Sequence, residues 1–299
     1  MNPTTPVYLS AAAGWRSTPS VGLTYYDRIG SRTYDGENVY EFSSTGYSAD
    51  LNFGIGERLA FSGHFLGDKT TVEKDEYYEG KINLESSESQ LNLTLSHEGF
   101  AIFGLGMRSH INKEYIDDTY QNETTTEATT IPSMSIKLGS FYFGGGVEIV
   151  KESSTYMVNN HWINTVVGLA FMSEKNEGLM FRVEVSAVNS PEANATAKQD
   201  LEASDHSQTN TTRFGLDMQY KGLVFEAFTV NKRESTEVYD ETTDSSISEI
   251  QTIKTQLGFL IAPEKGIVLG FHFIADQVSH IYTDKLDSFQ ISLAYNFGL

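Results

Sequence analysis

The last thirteen residues, "DSFQISLAYNFGL", alternate strictly. Phe289, Ile291, Leu293, Tyr295, Phe297 and Leu299 form one set, and Gln290, Ser292, Ala294, Asn296 and Gly298 form the other. A period of two marks an extended strand with two unlike faces. The pattern recurs along the chain. "SQLNLTLS" sets Leu91, Leu93 and Leu95 against Gln90, Asn92 and Thr94, and "LMFRVEVSAV" sets Phe181, Val183 and Val185 against Arg182, Glu184 and Ser186. "RFGLDMQY" sets Phe214, Leu216 and Met218 against Arg213, Gly215 and Asp217, and "TIKTQLGFLI" sets Ile253, Leu257 and Phe259 against Lys254, Gln256 and Gly258. Helical spacing accounts for none of these runs.

The spans predicted in this way lie at 19–30, 39–53, 58–72, 88–96, 100–112, 129–138, 141–152, 161–172, 179–189, 209–220, 223–233, 248–262, 267–281 and 287–299. Their connections alternate in length. Tight turns stand at 54–58, 97–99, 139–140, 173–178, 221–222 and 263–266; long, polar, acidic stretches stand at 70–88, 113–129, 190–208 and 234–248. Shorter members of the second class fall at 30–38, 157–160 and 282–287. One end of the sheet therefore carries turns and the other carries loops. About fourteen strands is an even number, as a bacterial transmembrane barrel requires. The expected fold is an all-β, up-and-down antiparallel transmembrane barrel over 19–299, with short periplasmic turns and long acidic extracellular loops. Residues 1–18 fit no span and are expected to be a tail or plug.

A soluble β-sandwich or propeller would also show alternation, but its strands average about 5–6 residues. These spans are longer, their connections interleave by length, and one face is almost free of charge. The other face carries Asp50, Arg108, Lys137, Glu148, Arg182, Glu184, Arg213, Asp217, Glu226, Lys232, Lys254 and Asp276. An Arg or Lys facing lipid at mid-bilayer costs about 2–4 kcal/mol, so the charged face must be the interior. These twelve are the expected pore-lining residues, six acidic and six basic. Tyr47, Phe53, Phe141, Phe171, Tyr220, Tyr295 and Phe297 gather near strand ends, as interfacial aromatic girdles do.

Composition narrows the picture further. No run approaches the ~20 apolar residues of a membrane helix. The absence of cysteine removes disulfides, thiolate metal sites and a Cys nucleophile. A net charge of -19 argues against nucleic acid as a partner. The opening "MNPTTPVYLSAAAGW" lacks a basic head and a long apolar run, so the chain reads as a mature sequence.

With these features the chain resembles the porin-type outer-membrane β-barrels of Gram-negative bacteria. The terminal strand is the most specific element, because it is similar to the C-terminal signal read by the barrel-assembly machinery. That signal usually ends in an aromatic residue, whereas Leu299 ends this chain with Phe297 and Tyr295 on the same face. The resemblance implies an outer-membrane location, with outer-membrane lipids, lipopolysaccharide, the assembly machinery and small solutes as partners. Channels of the fatty-acid type also use fourteen strands by resemblance; their longer N-terminal hatch and apolar interior are not evident here.

Enzymatic signals are weak. His64, His110 and His272 are expected to face the interior, but Asp276 is four residues beyond His272, about 13 Å along a strand. No Ser sits in a nucleophile elbow such as G-x-S-x-G. The acidic stretches "YDETTDSS" and "KDEYYEG" match no calcium loop and read as a solvated rim. No catalytic, cofactor or metal residue is therefore assigned. The expected function is a passive, weakly cation-selective channel for small hydrophilic solutes. The alternatives are a membrane-organising barrel that self-assembles into a homo-oligomeric ring, and a specific transporter or outer-membrane enzyme. Thr165, Thr229, Thr255, Gly63 and Gly145, on the lipid face, would permit close contact between copies.

Overall fold

A computed structural model describes residues 20–34, 37–55, 58–75, 78–97, 100–116, 120–155, 160–173, 179–196, 204–240, 243–263, 265–279 and 283–297. Its fourteen strands are β1 (Ser20–Tyr34), β2 (Glu37–Ile55), β3 (Leu59–Asp75), β4 (Tyr78–His97), β5 (Ala101–Ile116), β6 (Tyr120–Leu138) and β7 (Phe141–Ser154), then β8 (Asn160–Met172), β9 (Leu179–Thr196), β10 (Ser204–Tyr220), β11 (Leu223–Asp240), β12 (Thr243–Ile261), β13 (Gly266–Ser279) and β14 (Thr283–Asn296). Each pairs antiparallel with its neighbours in sequence, and β1 pairs with β14 to close the barrel. Closure leaves no strand edge with unpaired backbone groups, the condition for crossing a bilayer with strands.

Every predicted span corresponds to a strand, and apart from β13, which ends at Ser279, the strands run past the predicted limits at one end. The stretches expected as long acidic loops are largely paired: β3 reaches Asp75 before β4 resumes at Tyr78, and β11 reaches Asp240 before β12 resumes at Thr243. Above the membrane both faces of a strand meet water, so the apolar alternation disappears while the hydrogen-bond ladder continues. The side chains of the acidic rim at 73–79 and 237–244 lie outside the described residues, as do the tail at 1–18 and Leu299.

At the opposite end the connections are tight. Lys221 and Gly222 both have positive φ, 45° and 87°, the backbone of a two-residue hairpin whose twist matches its flanking strands. Gly139, at φ 62°, serves the turn from β6 to β7. The start of β1 and the end of β14 lie at this same end, since Ser20 pairs with Asn296.

The outward face is a broad apolar girdle. Leu23, Phe65, Leu105, Phe143, Val185, Phe214, Leu257 and Leu293 are all exposed, whereas the residues beside them in sequence turn inward. So large a continuous apolar surface on a folded chain is stable only against lipid. At one point the wall is pinched. Pro132 in β6 has no N–H to give, and the ladder to β7 skips Ile131 and Pro132. Gly146, opposite the next residue Ser133, lies so close that an added Cβ would come within 2.6 Å of the Pro132 carbonyl oxygen.

Candidate solute path inside the barrel

All twelve charged residues expected to line the interior lie on the inward register of their strands, opposite in phase to the exposed girdle. They differ in setting. Arg182, Glu184, Asp217, Glu226 and Glu148 are buried; Asp50, Arg108, Arg213, Lys254 and Asp276 are half-buried; Lys137, beside the end of β6, and Lys232, midway along β11, are exposed.

Register organises the interior into a belt. Arg182, Asp217, Glu226, Gly258, His272, Gln290, Tyr26, Gly46 and Asp68 are successive directly opposed partners on nine strands, from β9 round through β14 and β1 to β3. Arg182 Nη2 lies 2.6 Å from Asp217 Oδ2. His272 Nε2 reaches 3.4 Å from Glu226 Oε2, two strands away. It can do so because the intervening residue is Gly258, where an added Cβ would come within 2.3 Å of the imidazole. Tyr26 repeats the device. Its ring passes over Gly46, and its hydroxyl donates a 2.8 Å hydrogen bond to Asp68 on β3. Asp68 also accepts from Ser44 at 3.0 Å, while the Arg28 guanidinium stacks 4.2 Å above the Tyr26 ring. Each glycine gives up its side-chain volume so that an aromatic ring can bridge three strands.

Pairs continue beyond the belt. Arg108 donates to Glu127 at 3.0 Å, Asn164 donates to Glu148 at 3.0 Å, and His64 lies 2.8 Å from Asp50. Lys254 stands 3.8 Å from Asp276, and Arg32 holds Asp284 through two nitrogens at 2.6 Å. All three expected interior histidines meet a carboxylate on another strand, His110 doing so with Glu88 at 3.8 Å. Those partnerships were not readable along single strands. Asp68, Arg28, Glu88 and Glu127 are also inward charges that the sequence-based set omits. Their phase relative to His64 in β3 and Arg108 in β5 was the available signal for Asp68 and its neighbours, but they fall in or next to stretches taken as loop.

Several of these polar side chains are inaccessible. Gln90 is 0% exposed, Arg182 3%, Glu184 5% and Glu226 5%, although a wide water-filled tube would leave its inward residues open to solvent. A barrel of this strand number is too wide for one ordinary layer of side chains to fill. At these levels the inward side chains are shielded from solvent. What the arrangement provides is a polar lining in which Arg182, Asn164 and His272 stand beside the buried carboxylates Asp217, Glu148 and Glu226 and keep them tolerable.

No protein-family model matches the chain. No curated protein matches it either. Solved structures do resemble it: a Pseudomonas aeruginosa FadL homologue has a TM-score of 0.61 at 10% identity, over 98% of this chain and 93% of that one. The CymD monoaromatic hydrocarbon channel gives 0.57 at 9% identity, over 99% and 92%. A TodX monoaromatic hydrocarbon channel carrying the deltaS2S3 mutation gives 0.53 at 8%, over 98% and 93%. At such identities the likeness is one of fold. The fold is that of outer-membrane barrels, and the apolar girdle fits the outer membrane of a Gram-negative bacterium.

Proposed function

We propose that this barrel is an outer-membrane channel for small hydrophilic solutes, weakly selective for cations, with a narrow resting path that widens transiently. The observation that carries this reading is the inward face itself: it bears Gln90, Asn92, Thr94, Asn164, Gln256 and the paired charges where an oily solute would need apolar walls. Two of the structures it resembles are described as hydrocarbon channels. The polar lining here favours a different solute class on the same scaffold. Burial of that lining supports an intermittent rather than a permanently open path. The acidic excess, 40 Asp and Glu against 21 Lys and Arg, raises local cation concentration within a Debye length of about 8 Å at physiological salt. The reading assigns no catalysis to the chain.

The test is single-channel recording in planar bilayers with the purified, heat-modifiable barrel. Small, intermittent currents with a cation preference that fades as salt rises are expected. A folded barrel that passes no current and admits neither ions nor small sugars into liposomes would defeat the proposal. If that silent barrel also formed particles much larger than one barrel in detergent, the self-assembling alternative would take its place.

A further inference from the structure

The outward surface carries a groove of its own. It has a volume of about 480 Å³, and its walls include Tyr25, Tyr47, Gly67, Lys69, Glu85 and Lys113. It lies where the girdle gives way to polar residues, on the side away from the tight turns. Along β3 the outward positions change from Phe61 and Phe65 to Gly67 and Lys69; along β5 they change from Leu105 and Met107 to Ser109, Ile111 and Lys113. Lys69, Glu85 and Lys113 are directly opposed on consecutive strands. With strands about 4.8 Å apart, the two lysine backbones stand about 10 Å apart, within reach of a common ligand through their flexible arms. Among the described residues neither lysine forms a hydrogen bond or an ion pair. Tyr25 and Tyr47 are directly opposed partners at the groove's edge. The Tyr47 ring covers Gly67, where an added Cβ would come within 2.9 Å of it.

The geometry points to a binding site here for the phosphorylated headgroup of an outer-leaflet glycolipid. On a chain of net charge -19, two lysines against the single outward carboxylate of Glu85 leave the outward side of this groove cationic, a local exception that suits an anion. The two tyrosines supply flat apolar faces for a sugar ring, and Glu85 can accept from its hydroxyls. Below the groove Phe65, Leu91 and Met107 are exposed to the bilayer, in position to meet acyl chains. Those chains tether the headgroup at high effective concentration, an advantage that free phosphate lacks.

The test is native mass spectrometry of the folded barrel in detergent, titrated with bisphosphorylated lipid A and with its phosphate-free analogue. One lipid A per barrel is expected, with the analogue binding about tenfold more weakly. Lys69→Gln combined with Lys113→Gln should lose about the same factor, while Lys151→Gln, an exposed outward lysine away from the groove, should bind as the unaltered chain does. Heat-modifiable mobility confirms that each variant folds. Binding by the double variant within about twofold of the unaltered chain would overturn the proposal. So would an equal loss in Lys151→Gln, which would mark diffuse attraction, or displacement of the lipid by inorganic phosphate alone, which would mark a generic anion site.

Discussion

The interior has two unlike arcs. From β5 to β8 the inward wall holds the buried apolar side chains Ile102, Ile131, Tyr142, Val150, Val166 and Ala170 alongside the polar Arg108, Glu148 and Asn164, and Ile102, Tyr142 and Ala170 pack into one cluster with Met172. From β9 round to β13 the ionisable Arg182, Glu184, Asp217, Glu226 and His272 are buried at comparable depth, beside the apolar Val224, Val268 and Ile274. Both arcs belong to one closed sheet and obey the same alternation, yet they are held by different forces. The first gains from removing apolar surface from water, which is non-directional and tolerates small changes of shape. The second depends on each charge keeping its partner, because an unpaired buried charge is far costlier than a missing methyl group. On the proposed function, the charged arc is the side on which a path would open, because its pairs can exchange partners or admit water.

Breaking the charged arc should have the largest effect. Arg182→Met leaves Asp217 without its 2.6 Å partner and is expected to cost about 3–5 kcal/mol of stability. The loss should be visible as a lower urea midpoint for the barrel in liposomes. Adding Asp217→Asn should recover part of it, and a double variant that is simply the sum of the two singles would show that the pair is not coupled.

Next in size are the bridged glycines. Gly46→Ala places a methyl group within 2.2 Å of the Tyr26 ring and pushes it from Asp68, at an expected cost of about 1–3 kcal/mol. Combining it with Tyr26→Leu should remove the ring's share of that penalty while the approach to the Gly67 carbonyl oxygen, 2.7 Å from the added Cβ, remains; full additivity in the unfolding midpoints would count against the bridge.

The apolar arc should respond less. Ile102→Val is expected to cost about 0.5–1.5 kcal/mol and to leave ion selectivity unchanged. A shift in reversal potential with that variant would mean that the apolar arc also meets the permeating ion. The smallest effect concerns stability and the clearest concerns selectivity: Glu184→Gln with Glu226→Gln should move the low-salt reversal potential toward anions, with the barrel still folded. An unchanged potential would place the selective charges in the rim alone.

The sequence carried the strand count and the two faces, because a period of two is a local property of each strand. The inward phase of Arg182, Glu184 and Asp217 followed from the cost of a charge in lipid, with no knowledge of their neighbours. It also marked His272 and Glu226 as inward. It could not place His272 against Glu226, because their meeting depends on β12 lying between their strands and on Gly258 falling at the crossing point. The continuation of β3 and β4 above the membrane was hidden for a related reason: with water on both faces, nothing in the order of residues distinguishes a paired strand from a loop.

Alternation, charge placement and connection lengths by themselves determined a fourteen-stranded membrane barrel with an ionised inner face. Register decided the rest. It set which charge opposes which, turned Gly46 and Gly258 into passages for aromatic rings, and aligned Lys69, Glu85 and Lys113 on the outer wall. Register is a relation between strands far apart in sequence, fixed only when β1 meets β14 and the whole sheet closes.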